Sequence, residues 1–286
     1  MKTIIISDIK SKKDSIIKFG LHLAKHLETE VDVLHPIDSR VHQGEYSAVS
    51  DSQSVTPGNT LSHGEIIFRE KESVKKDLDK LLSGEASRLN YPLKINVAVE
   101  EESIDDAIKN SSNDSEDKIF VISAEPDGNI FHSKNEIRST VKNNNAICLL
   151  VPPGTSFSSL HKILIPVDFH TSHVNTFTGL HPFFKKINPY LIAVDVSENS
   201  DYAEKELKSQ TWMELVKEII PASKISASTL EGKNYADSIA SYCNRNSPDL
   251  LLLSLQKQNP VKQLFSKNDL DKLADKVNVP VLIHYY

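Results

Sequence analysis

The sequence predicts an α/β protein of two tandem domains, each a doubly wound parallel sheet of five strands. Three observations carry this. The run Lys162-Ile163-Leu164-Ile165-Pro166-Val167-Asp168 is an apolar, buried strand closed by an aspartate and a polar loop, and it lies past the middle of the chain. Lys2-Thr3-Ile4-Ile5-Ile6-Ser7-Asp8 opens the N-terminus in the same way, so an offset of 160 lays Lys162 on Lys2 and Asp168 on Asp8. After each run, short apolar strands alternate with helical periods, and parallel neighbours need such crossovers.

In the first half, residues 2–7 form strand one. Ile16, Gly20, Leu23, Ala24 and Leu27 recur at i, i+4, i+7, i+8 and i+11, the spacing of an amphipathic helix. Residues 30–34 are strand two, with Val31 and Val33 alternating. Residues 36–63, rich in Ser, Gly, Pro and Asp and without a period, read as a long surface loop. Ser62-His63-Gly64-Glu65 has the pattern of a capping box, and the helix it opens buries Val74, Leu78, Leu81 and Leu82. Strand three is 94–99, a short helix carries Ile104, Ala107 and Ile108, and strands four and five are 118–123 and 146–151. Pro152 to Ser159, rich in Ser, Pro and Gly, is the boundary between domains 1–153 and 160–286.

The second half repeats this order. Strand one is 162–167 and strand two 190–196. A helix buries Trp212, Leu215, Val216 and Ile219, and strand three is 224–230. Ala236, Ile239, Ala240 and Cys243 form another helical face, and strands four and five are 249–253 and 279–284. An offset of 131 places Glu231 on Glu100, Asp237 on Asp106 and Ser254 on Ser123; an offset of 133 places Ser266-Lys267-Asn268 on Ser133-Lys134-Asn135 and Leu282 on Leu149. The drop from 160 to 131 means 29 extra residues in the first copy, most of them in 36–63. This is the signature of a duplicated domain.

Composition narrows the function. Residues 1–159 hold 19 Lys+Arg against 25 Asp+Glu and residues 160–286 hold 14 against 14, so the whole net charge of -6 sits in the first half. An acidic surface without basic patches argues against nucleic acid and anionic membrane as partners. No apolar run approaches the ~18 residues of a membrane span, and the N-terminus enters a strand without a leader pattern. Two cysteines, Cys148 and Cys243, both in apolar segments, fit a reducing compartment, so a cytoplasmic location is expected.

In open parallel sheets ligands sit beyond the carboxyl ends of the strands. The residues there are Asp8, His35 and Ser123 in the first half and Asp168, Asp195 and Ser254 in the second. A strand ending in Ile165-Pro166-Val167-Asp168, a segment from Glu231-Gly232 to Ile239 ahead of Pro248-Asp249-Leu250, and a last strand Val279-Pro280-Val281-Leu282 resemble the universal stress protein (UspA-type) domain. The resemblance covers nearly the whole chain as two tandem copies, the first departing further, with Ile6-Ser7-Asp8 and Ile147-Cys148-Leu149 at the matching places. It implies an adenine nucleotide alpha hydrolase-like fold. It also implies that strands five, 146–151 and 279–284, pair within the chain about a pseudo-twofold axis, and it leaves a homodimer of the whole chain open.

The family divides into members that bind ATP and members that do not, and the binders resemble one another in a Gly-x2-Gly-x9-Gly-Ser/Thr signature after strand four. Glycines there let backbone N–H groups approach the phosphates. This chain departs from that signature in both copies. After Ser123 a single glycine, Gly128, stands among Glu125 and Asp127, and after Ser254 the stretch to Asn268 holds none. Lys257, Lys262 and Lys267 could hold phosphate in the second copy as point charges.

The candidate ligand-contacting residues are therefore Asp8, Ser123, Ser133 and Asn135 in the first copy and Asp168, Ser254, Lys262, Ser266, Lys267 and Asn268 in the second. Asp8 and Asp168 match the family position near adenine and ribose; each could equally cap the next helix. Ser133 and Ser266 have the same two readings, anion donor or helix cap. His22 and His26 lie four apart on a helix and His161, His170, His173 and His181 gather near the second strand one, but no Cys-x-x-Cys or His-Glu-x-x-His accompanies them; a solvated face is expected and no metal. No Gly-x-Ser-x-Gly is present, so hydrolase chemistry is disfavoured. The reading is a non-catalytic stress protein without a cofactor, working through its surfaces. The alternative is a sensor holding ATP, ADP, AMP or another small molecule in the second copy.

Overall fold

The computed structural model describes residues 1–7, 9, 15–38, 62–112, 117–126, 130–144, 146–169, 174–197, 202–255, 273 and 276–285. In the first half β1 (Lys2–Ile6) is buried on both faces and pairs in parallel with β2 (Val31–Pro36) and β4 (Lys118–Ser123). β3 (Ile95–Glu100) lies beyond β2, and β5 (Ile147–Val151) beyond β4. The helices between them are α1 (Ser15–Leu27), α2 (His63–Leu89), α3 (Ile104–Ser111) and α4 (Lys134–Asn144).

The second half runs β6 (Lys162–Pro166), α5 (Asn175–Gly179), α6 (His181–Ile187), β7 (Tyr190–Ser197), α7 (Tyr202–Ile219), β8 (Lys224–Glu231), α8 (Tyr235–Asn246), β9 (Leu250–Leu255) and β10 (Val281–Tyr285). All these strands join one ten-stranded sheet of order β3-β2-β1-β4-β5-β10-β9-β6-β7-β8. Each half thus has the same internal order, and the halves meet through their fifth strands. Every neighbouring pair is parallel except β5–β10, which is antiparallel.

Register shows how closely the halves correspond. Thr3 faces Val31 and Ile119, and Ile163 faces Leu191 and Leu250, the partners given by offsets of 160 and 131. Across the seam Val281 faces Leu150, Leu282 faces Leu149 and Ile283 faces Cys148. Leu149 and Leu282 are equivalent by the offset of 133, so the pseudo-twofold axis passes through that pair. Strand three departs from this: Val31 faces Ile95 and Leu191 faces Ile225, an offset of 130. The offset returns to 131 at the caps of the next helices, where Ser103 Oγ accepts from the Asp106 N–H at 3.2 Å and Asn234 Oδ1 from the Asp237 N–H at 3.1 Å.

Two apolar layers cover the sheet, each continuous through both halves. One packs Ile5, Val31, Val121, Leu149, Ile163, Leu191, Leu252 and Leu282 against α1, α2, α5, α6 and α7. The other packs Ile4, Phe120, Cys148, Leu164, Val194, Leu251, Val281 and Ile283 against α3, α4, α8, Leu273 and Val277. The alternation of Ile4 and Ile5 between layers is the period of two expected of a strand. α2 begins with the capping box: Ser62 Oγ accepts from the Glu65 N–H at 3.3 Å, and the Ser62 N–H donates to Glu65 Oε2 at 2.7 Å. α1 lies so close to β1 that a Cβ on Gly20 would stand 2.5 Å from Ile5 Cδ1.

The crossover after β6 differs from its counterpart. Where the first half has one 13-residue helix, the second has two short ones, broken at Leu180 with Pro182 in the first turn of α6. Proline suits a first turn, where its missing N–H leaves no bond unmade, and it disfavours continuing a helix through itself. Residues 39–61 of the expected surface loop lie outside the described residues.

Leu282 is fully buried on the axis, and truncating such a side chain costs about 2–5 kcal/mol. Leu282→Ala is expected to lower stability by about that amount in denaturant unfolding, with both halves lost in one transition. Cleavage at a protease site placed at Gly154 is expected to leave fragments that co-elute in size exclusion; fragments that separate as monomers would refute the shared-sheet account.

Candidate functional site

The strand ends beyond β1, β2 and β4 carry the first candidate site. Ser7 donates its backbone N–H to the Leu34 carbonyl at 2.9 Å, and the Ser7 carbonyl accepts from His35 Nδ1 at 2.5 Å, which fixes the buried imidazole with its proton on Nδ1. Next to this end is a cavity of about 220 Å³ lined by Pro36, Asp38, Glu102, Asp105, His132 and Glu136, among others. Its wall carries four carboxylates. Glu102 accepts from Asn110 Nδ2 at 2.9 Å, Asp105 from Asn144 Nδ2 at 3.2 Å and Glu136 from the His132 N–H at 2.7 Å, so the donors that hold these three are neutral amides. Such a wall repels a polyphosphate.

The segment after β4 is held by its own side chains. Ser123 Oγ donates to the Glu125 carbonyl at 3.0 Å and accepts from the Glu125 N–H at 3.3 Å, a local turn that engages the hydroxyl. Glu125 pairs with Lys134 at 2.9 Å, and Ile130 and Phe131 are buried in the core as the chain returns to α4. Ser133 Oγ accepts from the Glu136 N–H at 3.2 Å and so caps α4, and Asn135 is exposed in the first turn. Ser123, Ser133 and Asn135 line neither the acidic cavity nor the cavity at the seam. Asp8 lies outside the described residues. A second cavity, of about 150 Å³, lies at the seam between Glu125, Lys134, Arg138 and Pro152 of the first half and Val277, Asn278 and Val281 of the second.

The second half is built differently. Asp195 takes the place of His35 at the end of strand two and is 4% exposed. Its Oδ2 accepts from Lys205 Nζ at 2.6 Å and its Oδ1 from the Val196 N–H at 2.7 Å. Tyr235, from the first turn of α8, points its hydroxyl to the Val167 carbonyl at 3.5 Å; burial, then the charges of Asp195 and Asp168, hold its ionisation well above the usual phenol range. Asp168 itself is exposed, and its charge, behind the Glu204 ion pair, adds to what raises Lys208. Phe169, next to it, takes the left-handed conformation at φ 55°.

Ser254 closes the carboxyl end of β9 with Leu255. It is buried, and its hydroxyl bonds to that of Thr176 on α5, whose neighbour Phe177 packs edge-on to Trp212 at 5.5 Å. Lys262, Ser266, Lys267 and Asn268 lie outside the described residues. Sequence reasoning missed Thr176, Lys205 and Tyr235; only Lys205, ten residues beyond a strand-end carboxylate on the following helix, left a signal that could have been read.

Of the histidines, His22 is exposed and His26 is not: its ring turns inward against Phe157 and its Nε2 is buried. Among the described residues no group of three or more His, Cys, Asp or Glu side chains is placed to hold a metal ion, and no helix is long and apolar enough to cross a membrane.

No family model matches the sequence, and no curated protein matches it. Solved structures do. A universal stress protein from Archaeoglobus fulgidus DSM 4304 superposes with a TM-score of 0.67 at 13% identity, covering 99% of this chain and 98% of that one. A protein from Pseudomonas aeruginosa UCBPP-PA14 assigned as a universal stress protein gives 0.57 at 12% identity over 100% and 93%. The cytoplasmic domain of a prokaryotic cation chloride cotransporter gives 0.55 at 11% identity over 99% and 94%. The chain therefore has the fold of universal stress protein structures along its whole length, and at these identities the likeness is one of fold.

The Asp195–Lys205 pair is expected to contribute to stability, because removing one partner leaves the other charge unsatisfied in a largely buried place. Lys205→Met should destabilise by about 1–3 kcal/mol in urea unfolding, and Asp195→Val added to it should recover part of that loss.

Proposed function

We propose that this chain is a universal stress protein-type, non-catalytic stress-response protein of the cytoplasm, acting through its surfaces and partners without binding ATP in the family's manner. The observation that carries this reading is the first-half strand-end cavity, walled by Asp38, Glu102, Asp105 and Glu136, with the Glu125–Lys134 pair engaging a lysine that could otherwise meet phosphate. The occupied hydroxyl of Ser254 supports it in the second half. Occurrence of the same fold as the cytoplasmic domain of a cotransporter is consistent with a role played through contacts.

A second reading, a sensor of an adenine nucleotide or another small molecule in the second half, is favoured by Asp168, exposed beside Lys208. The two separate in one experiment. Thermal melting and native mass spectrometry of protein purified from cells, with and without MgATP, ADP and AMP, are expected to give an unshifted melt and the bare chain mass. A retained adenine nucleotide that is lost in Asp168→Ala would establish the sensor instead.

A further inference from the structure

The linker between the halves is fastened at two points. On the second half, Asp249 Oδ2, just ahead of β9, accepts from Ser159 Oγ at 3.2 Å and from the N–H groups of His161 and Lys162 at 2.8 and 2.9 Å. On the first half, the Phe157 ring lies edge-on to Phe19 of α1 at 5.4 Å and tilted against His26, the last residue but one of α1, at 5.5 Å. His161 lies 6.0 Å beyond, edge-on to His26. The first fastening is a carboxylate with three donors. The second is an aromatic stack around the His26 imidazole, whose Nε2 is buried and has no hydrogen-bond partner among the described residues.

A neutral imidazole fits this place as an aromatic ring. A protonated one does not: it brings a charge and an N–H donor to a buried atom without an acceptor, and leaving such a donor unmade is costly. The charged groups around it give little relief. His161 would add a like charge, and the Asp249 carboxylate already takes three donors. Lys25 of α1 is turned to the Leu89 carbonyl at 2.8 Å, and Lys186 of α6 reaches the Glu28 carbonyl at 3.4 Å. We propose that His26 is an acid-released latch between the two halves: when its ring takes a proton, Phe157 and the linker residues 155–158 leave α1, while Asp249 keeps Ser159 and His161 on the second half. The β5–β10 pairing does not involve these residues, so the sheet stays whole while the linker opens.

The direction of the titration agrees. Burial, then the charge of His161, hold His26 below the ordinary imidazole value of 6.5, with Asp249 opposing. A base depressed in the closed form contributes latch stability that is full above about pH 6.5 and is lost as pH falls through that value toward the depressed one.

The test is amide hydrogen exchange on the full chain at about pH 7.5 and about pH 5, corrected for intrinsic rates, with residues 250–255 as internal reference. Protection of residues 155–158 is expected to fall about tenfold for each unit of His26 depression, with the reference unchanged. His26→Leu should abolish the fall, and His26→Gln, which does not titrate but stays polar, serves if the leucine variant does not fold. Linker protection that is independent of pH, or that falls equally in the His26 variant, overturns the proposal.

Discussion

The antiparallel pairing of β5 with β10 is the constraint on which the rest of the structure depends. A five-stranded open sheet has two edges, and an edge exposes unpaired N–H and C=O groups. Joining strand five to strand five removes one edge from each half and lets both apolar layers run through without a break. The contact is self-complementary, with Leu149 facing its own equivalent Leu282, and a two-fold contact between identical units needs only one surface to work. A duplicated gene inherits such a contact ready-made, and a linker of about ten residues turns it from an association between molecules into one within a chain.

The same pairing places the strand-end sites. Within each half every strand is parallel, so reversal at the seam puts the carboxyl ends of the first half's strands and those of the second on opposite margins of the sheet. The two candidate sites cannot merge into one. Their contents differ: His35 is bonded to a carbonyl beside an acidic cavity in one, and Asp195 is paired with Lys205 under a buried tyrosine in the other.

Much of this was legible because it is local or repeated. The Ser62–Glu65 box needs four residues, and it forms as read. The offsets of 160, 131 and 133 survive as ladder register because a one-residue slip would turn a strand's core face outward. Strand three could slip by one because it is the outer strand in both halves, with mostly half-buried side chains on both faces. What stayed hidden depends on segments far apart in sequence. The helix period selected Ile16, Gly20, Leu23, Ala24 and Leu27, but Ile17, Phe19 and Leu21 are also buried. Those off-stripe apolar residues were a signal that a second surface covers α1, and the inward turn of His26 follows from that cover. The engagement of Ser254 by Thr176 left no such signal, since it joins residues 78 apart through a helix break.

The broken crossover also accounts for the engagement of Ser254 at the end of β9. A single helix after β6 would run straight from the carboxyl margin to the amino margin, as α1 does. Splitting it at Leu180 lets the short α5 drop Thr176 and Phe177 into the core, where Phe177 stacks on Phe184 at 5.3 Å. It also brings Gly179 so close to β10 that a Cβ there would stand 2.8 Å from the His284 ring. Under the proposed reading the halves turned away from phosphate by different physics. In the first the space remains and its charge is of the wrong sign. In the second the Asp195 charge is paired with Lys205 and the Ser254 hydroxyl is engaged by Thr176.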